Sequence, residues 1–142
     1  MDLRAMLERD EGRVKTAYPD PLTGGEPWTI GIGHCGAVKK GDVWSDTQID
    51  AAFDADLEKA TDGCRRELPW FDSLSEPRRA VLISMAFQMG VKGLMEFTHT
   101  LEMVGKGLYA NAARGMLESR WAKQTPKRAQ RLAAQMQTGK WT

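Results

Sequence analysis

The sequence predicts a mostly helical α+β chain with a small N-terminal β-hairpin lobe and a larger helical lobe. Three observations carry this. Residues 14–32 hold a β-like alternation broken by a dense Pro/Gly turn signal. Ala80–Met89 is apolar almost all round, the pattern of a buried central helix. From Ser45 onward, helix start and stop signals recur to the C-terminus.

Residues 2–11 read as a short helix. Leu3, Met6 and Leu7 share one face, Arg4, Glu8 and Arg9 the other, Asp2 can cap the start, and Gly12 ends it. Glu11 therefore lies at the C-terminal edge, where the helix dipole disfavours a negative charge, a setting a general acid can use. Val14, Thr16 and Tyr18 alternate as in a strand, and Trp28-Thr29-Ile30-Gly31-Ile32 returns as a second one. The 19–25 turn makes the pair a hairpin, with Asp20 near the bend and Thr29 early on the return. Gly31 and Gly33 leave a strand position bare, open to close approach by a backbone or ligand.

Residues 36–44 are expected to form a loop or short third strand. Ser45 and Gln48 fit a capping box, followed by a helix to about Leu68. Its inner face is Ile49, Ala52, Phe53, Asp56, Ala60 and Cys64. Asp56 interrupts that stripe and needs a partner; His34 is the natural one, against a solvated Asp at the stripe's edge. Pro69 ends this helix, and Ser75-Glu76-Pro77 starts the central one, which Gly90 is expected to stop. Helices are expected over 94–105, 109–118 and 127–137. The domain reading is one unit over 1–142: a small lobe at 12–44, a connecting helix at 45–68, and a helical lobe from 1–11 and 69–142.

The 42% apolar and 27% charged fractions are those of an ordinary globular protein. The net charge of +1 hides an asymmetry: residues 1–62 carry 7 Lys/Arg against 13 Asp/Glu, and residues 63–142 carry 13 against 6. Opposite fields across a cleft, an anionic partner for the second half, or mutual attraction of the halves would each follow. Cys35 and Cys64 are too few for a disulfide framework and too far apart for a zinc motif, so they read as free thiols. No stretch approaches the roughly 18 apolar residues that span a bilayer, and the N-terminus lacks a secretory apolar core. Cytoplasmic synthesis without a signal peptide and no stable membrane insertion are the expectations. The basic residues Lys123, Lys127, Arg128 and Arg131 come without an aromatic stacking platform, which argues against nucleic acid as a partner.

Two carboxylates, Glu11 and Asp20, bracket a polar-aromatic stretch that leads to Thr29. Paired carboxylates of this kind suit glycan cleavage. One protonates the leaving oxygen and the other supports charge at the anomeric carbon.

The motifs Asp10-Glu11-Gly12, Ala17-Tyr18 with Asp20, and Thr29-Ile30-Gly31-Ile32-Gly33-His34 resemble the glycoside hydrolase family 24 signature of phage lysozymes. Met85-Ala86-Phe87-Gln88-Met89-Gly90, Phe97-Thr98, Ser119-Arg120-Trp121 and Gln124-Thr125-Pro126-Lys127-Arg128-Ala129 resemble the T-even type of that family. The resemblance covers nearly the whole chain and implies a lysozyme-like two-lobe fold. It also implies cleavage of the β-1,4 bond between N-acetylmuramic acid and N-acetylglucosamine in peptidoglycan, with inversion and without a cofactor. By that resemblance Glu11 is the general acid, Asp20 the carboxylate that orients a water, and Thr29 the hydroxyl that helps hold it. Inversion implies Glu11 and Asp20 about 6.5–9.5 Å apart. Arg128 resembles a basic partner of the acid, and His34 with Asp56 a structural ion pair. Cys35, Phe87, Gln88, Thr100, Trp121 and Gly115 match positions lining or underpinning the substrate cleft, with core packing favoured for Phe87 and Trp121. A monomeric endolysin is implied, released by a holin-type route to act on the cell wall in the periplasm and lyse the host.

The sequence also departs from the pattern. Eight residues, Pro21–Trp28, separate Asp20 from Thr29 where the family has five. Counting five leads to Glu26, a rival second carboxylate, although the Thr29-Ile30-Gly31 context favours Thr29. Insertion in such a turn costs little. Cys35 replaces an apolar sugar contact and reads as a small apolar filler; Thr100 replaces a serine and Gly115 an asparagine. These changes leave room for a second reading, a catalytically weak or silent peptidoglycan-binding domain on the same fold.

Overall fold

The computed structural model describes all residues from Met1 to Thr142. Seven α-helices and one two-stranded antiparallel sheet make up the chain, an α+β fold dominated by helix. It forms two compact units, Arg4–Lys59 and Met1–Leu3 with Ala60–Thr142. No single helix is long and apolar enough to cross a membrane.

The smaller unit takes in all of α1 (Leu3–Glu11) but its first residue, and the helix buries Met6 and Leu7 on the face that the i, i+3, i+4 spacing of Leu3, Met6 and Leu7 predicts. This helix, expected with the helical lobe, clusters with the smaller unit instead. Local contacts account for this: Arg4 pairs with Asp54 and lies over the Phe53 ring at 4.9 Å. Strands β1 (Val14–Tyr18) and β2 (Thr29–Gly31) then pair antiparallel, with Val14 opposite Gly31 and Tyr18 opposite Thr29. The expected alternation of Val14, Thr16 and Tyr18 does not mark the inner face. Those three are exposed, and Ala17 turns inward with Ile30 and Val38 beneath Trp28 and Trp44. The strand is short and bulged, which breaks the alternation and leaves Ala17 as its one inward residue. A fragment of third strand exists: Thr16 bridges Val43, and the Trp44 amide donates to the Lys15 carbonyl at 2.8 Å.

The capping box forms as read. The Ser45 hydroxyl accepts from the Gln48 amide at 3.2 Å, and the Gln48 side chain accepts from the Ser45 amide at 2.8 Å. It starts α2 (Asp46–Glu67). Arg13 ties the first turns of α2 to the strand pair through Asp46 and Asp50, each at 2.9 Å.

In the larger unit, α3 (Glu76–Met95) buries every side chain from Ala80 to Ala86, as an all-round apolar helix must. Gly90 does not stop it. The residue takes φ +80° and ψ 158°, and helix resumes to Met95, so the glycine makes a kink. The next helix consequently begins later than expected, as α4 (Thr98–Gly105). It is followed by α5 (Tyr109–Leu117), α6 (Arg120–Gln124) and α7 (Pro126–Thr138). The short α6 was not anticipated; the Ser119 hydroxyl caps it by accepting from the Ala122 amide at 3.2 Å. Arg78 closes α7 from 58 residues away, donating to the carbonyls of Met136 at 2.8 Å and Gln137 at 2.9 Å. Its guanidinium lies 3.6 Å from the Tyr109 ring centroid.

Candidate active site

Glu11 is the last residue of α1, and the Gly12 amide closes the helix onto the Glu8 carbonyl at 2.9 Å. Gly12 then leaves in the left-handed region, at φ +77°, which sends the chain straight into β1. The Glu11 carboxylate is half-buried and rests against Gly33. A Cβ built on Gly33 would lie 2.5 Å from Glu11 Oε2 and 3.0 Å from Cδ. Gly33 sits at φ +68° in the tight turn after β2, where the Ile30 and His34 backbones exchange hydrogen bonds of 2.8 and 3.0 Å. Only a residue without a side chain satisfies both the turn and the carboxylate. The glycine expected to clear a strand position thus clears a turn beside an acid.

Asp20 follows β1 and is held by its own loop. Its Oδ1 accepts from the Leu22 amide at 2.7 Å, its amide donates to the Gly25 carbonyl at 3.0 Å, and its carbonyl accepts from the Gly24 amide at 2.8 Å. Thr23 Oγ1 donates to the Glu26 carbonyl at 2.6 Å and accepts from the Gly25 amide at 3.2 Å. The longer Pro21–Trp28 connection is therefore folded on itself as a self-bonded turn. Thr29 still stands opposite Tyr18, with the pairing bulged between Val14 and Tyr18. Glu26 is exposed on this loop. Leu22, at 92% exposure, is its most projecting side chain.

Thr29 stands opposite Tyr18 in the strand pair, and the charge on Glu11 reaches the Tyr18 phenol. Burial first, then that charge, pushes Tyr18 above its ordinary ionisation range, so the phenol keeps its proton. In the sequence Tyr18 stood in the Ala17-Tyr18 motif but was given no role. The hairpin register that places Thr29 opposite it was the available signal. Cys35 is near enough to act on Tyr18 electrostatically, and it is exposed rather than the packed filler expected. It leaves the turn after Gly33 into an open loop, where nothing demands burial.

His34 and Asp56 do pair, at 2.6 Å between Nδ1 and Oδ2. The other ring nitrogen faces the Gly36 carbonyl at 2.9 Å, and the Trp44 ring lies 5.3 Å away. Both imidazole nitrogens are thus occupied, and the interruption of the α2 stripe is satisfied.

The larger unit holds a concavity of about 480 Å³ lined by Met89, Phe97, Thr100, Gly115, Arg120 and Trp121, among others. Gly115 shapes it, since a Cβ there would fall 2.7 Å from Thr100 Oγ1. Trp121 is buried, packs edge-on against Phe97 at 6.1 Å, and donates its indole N–H to Gln88 Oε1 at 2.8 Å. Gln88 therefore holds the tryptophan wall, while Phe87 is half-buried on α3. Arg128 is buried and donates to Ser84 Oγ at 3.0 Å, anchoring α7 to α3. Phe97 and Arg120 join the lining; both stand in the sequence motifs, but neither was given a site role there.

Comparison with known proteins agrees with these features. Residues 8–137 match the phage lysozyme family model. The chain is 29% identical to a Dictyostelium discoideum protein named probable T4-type lysozyme 1, over 96% of this chain and 94% of that one. It is 28% identical, with the same coverage, to that organism's probable T4-type lysozyme 2. It is also 31% identical to the pre-baseplate central spike protein Gp5 of Enterobacteria phage T4, over 98% of this chain but 28% of that protein. With a match over most of its length and a helix-dominated α+β fold, the chain belongs to the phage lysozyme family, a family of glycoside hydrolases acting on peptidoglycan.

Proposed function

We propose that this protein is a muramidase that cleaves the β-1,4 bond between N-acetylmuramic acid and N-acetylglucosamine with inversion. The observation that supports it best is a helix-end carboxylate, Glu11, seated against Gly33 in the turn that follows the strand carrying the hydroxyl of Thr29, all within one unit. Glu11 donates its proton to the departing glycosidic oxygen. Asp20, with Oδ1 steadied by the Leu22 amide, takes a proton from the attacking water through Oδ2. Its negative charge supports the oxocarbenium-like transition state, and Thr29 fixes the water's position. No covalent sugar–protein bond forms, and the new hydroxyl appears on the face opposite the one the leaving oxygen occupied.

The concavity around Thr100 and Gly115 is proposed to take a sugar of the same polymer, with Phe97 and Trp121 supplying an apolar wall. Such a mix of aromatic lining and few polar groups suits a pyranose ring carrying an acetamido group. Biologically, we propose a monomeric endolysin that reaches the cell wall in the periplasm by a holin-type route and lyses the host.

Release of reducing ends from purified sacculi tests the reaction. The parent should produce them steadily, and Glu11→Gln should lose about 10²–10⁴-fold in rate. A Glu11→Gln protein as fast as the parent would remove the acid's assignment. The likeness to a spike protein favours one second reading, a glycan-binding domain of a tail device with little or no turnover. Binding to sacculi without new reducing ends would decide for it.

A further inference from the structure

We propose that Thr23 is a positioning residue of this site. Its hydroxyl straps the loop that carries Asp20, so that one carboxylate oxygen stays committed to the loop and the other stays aimed at the attacking water. The inference rests on the muramidase reading and goes one step further into it.

The loop closes on Asp20 itself. The Asp20 amide donates to the Gly25 carbonyl at 3.0 Å, and the Asp20 carbonyl accepts from the Gly24 amide at 2.8 Å. Inside that ring the Leu22 amide donates to Asp20 Oδ1 at 2.7 Å. Pro21, Leu22, Thr23 and Gly24 are all exposed, so apolar packing does not hold this segment and hydrogen bonds must. Both ring-closing bonds end on Gly24 or Gly25, an adjacent pair of the residue type with the most backbone freedom. Thr23 bridges that pair. Its Oγ1 accepts from the Gly25 amide at 3.2 Å and donates to the Glu26 carbonyl at 2.6 Å, reaching from one side of the two glycines to the other.

The chemistry needs a fixed carboxylate. An ionised aspartate has two equivalent oxygens, which exchange by rotation about its last side-chain bond. A base takes a proton from water only within hydrogen-bond reach and in line, so a carboxylate that turns, or travels with a loose loop, is productive only part of the time. The bond from the Leu22 amide to Oδ1 stops the rotation and leaves Oδ2 for the water. The ring through Gly24 and Gly25 stops the travel, and Thr23 keeps the ring closed with its proton and one of its lone pairs. Thr23 touches neither the water nor the sugar in this scheme. It acts through Asp20.

Kinetics on soluble peptidoglycan fragments separate this role from simple support of the fold. Thr23→Val keeps the side chain's shape and removes the hydroxyl. It should lower kcat about fivefold, the usual consequence of losing one such hydrogen bond, with KM within about twofold. Thr23→Ser keeps the hydroxyl and should retain about half of the parental kcat or more. A second-site change then tests whether loop order is what was lost. Gly25 lies outside the left-handed region, and a Cβ there would meet nothing within 4 Å, so an alanine fits the closed loop and restricts the open one. Gly25→Ala added to Thr23→Val should therefore recover kcat about twofold without restoring any contact. A loss shared equally by the serine and valine variants, a change confined to KM, or no recovery from Gly25→Ala would overturn the proposal. A parent that releases no reducing ends would overturn the muramidase reading together with it. An active parent whose Thr23→Val variant is as active would overturn the Thr23 role alone.

Discussion

Substituting Gly33 by alanine should disable the enzyme while leaving it folded. The added Cβ would fall 2.5 Å from Glu11 Oε2 and 3.0 Å from Cδ. Non-bonded carbons settle at about 3.5–4.0 Å, so the carboxyl must retreat by roughly 0.5–1 Å. A displacement of about 1 Å at a reacting group costs on the order of 100-fold in rate. The backbone bears a separate cost. Gly33 has φ +68°, a region that costs an alanine about 1–2 kcal/mol. Reduced freedom of the unfolded chain offsets about 0.4–1 kcal/mol of that, leaving roughly 1 kcal/mol and a melting shift of about 3 °C. The assay is reducing-end release measured well below the unfolding midpoint, alongside thermal unfolding by circular dichroism. A Gly33→Ala protein with the parental rate would refute the reasoning. So would one whose activity loss is fully explained by unfolding.

Other consequences follow from the same geometry. Burial pushes the Cys64 thiol up to about 12 from 9.0, so the folded state holds that proton more tightly than the unfolded state. Its stabilising contribution is complete below pH 9 and fades as pH rises toward 12, with a slope of about 1.4 kcal/mol per pH unit. Urea unfolding of the parent against Cys64→Ala should show a steeper alkaline loss of stability in the parent. Of the two cysteines, exposed Cys35 should react with a thiol reagent in the native protein and buried Cys64 only after denaturation; two fast native thiols would contradict the burial. Arg78→Ala should destabilise the chain by about 2–3 kcal/mol, because two charge-assisted bonds to helix-end carbonyls are lost. Arg78→Lys should recover only part of it, since an ammonium cannot reproduce the planar fork. A urea midpoint unmoved by Arg78→Ala would show that the end of α7 needs no such cap.

What the sequence made legible is what local chemistry decides. The start of α2 was readable from Ser45 and Gln48 because both capping bonds lie within four residues. The centre of α3 was readable because no exposed face can be drawn through Ala80–Ala86. The His34–Asp56 pair was readable as a charge inside an apolar stripe that needed a partner. Thr29 was readable as the residue after the long connection because its Ile-Gly context outweighs a loop count, and the self-bonded 20–26 turn shows how the extra residues are absorbed. Hidden features depend on groups far apart in the chain. Arg78 reaches a helix end 58 residues on, which no pattern announces. Gly33 lies against an acid 22 positions earlier, and its glycine had two competing explanations. Gly90 carries the same stop signal whether a helix ends or kinks there, and only the packing of the following turn decides. The inward residue of β1 is small Ala17 rather than the larger alternating side chains, because a bulge interrupts the strand's alternation.

The anomeric form of the first product, followed by proton NMR during digestion of peptidoglycan fragments, tests the central claim most directly. Attack by a water held between Asp20 and Thr29 predicts that each new muramic acid end appears first as the α anomer and only then equilibrates. First appearance as the β anomer would require a double displacement, by a protein nucleophile or the sugar's own acetamido group, and contradict the roles given to these side chains.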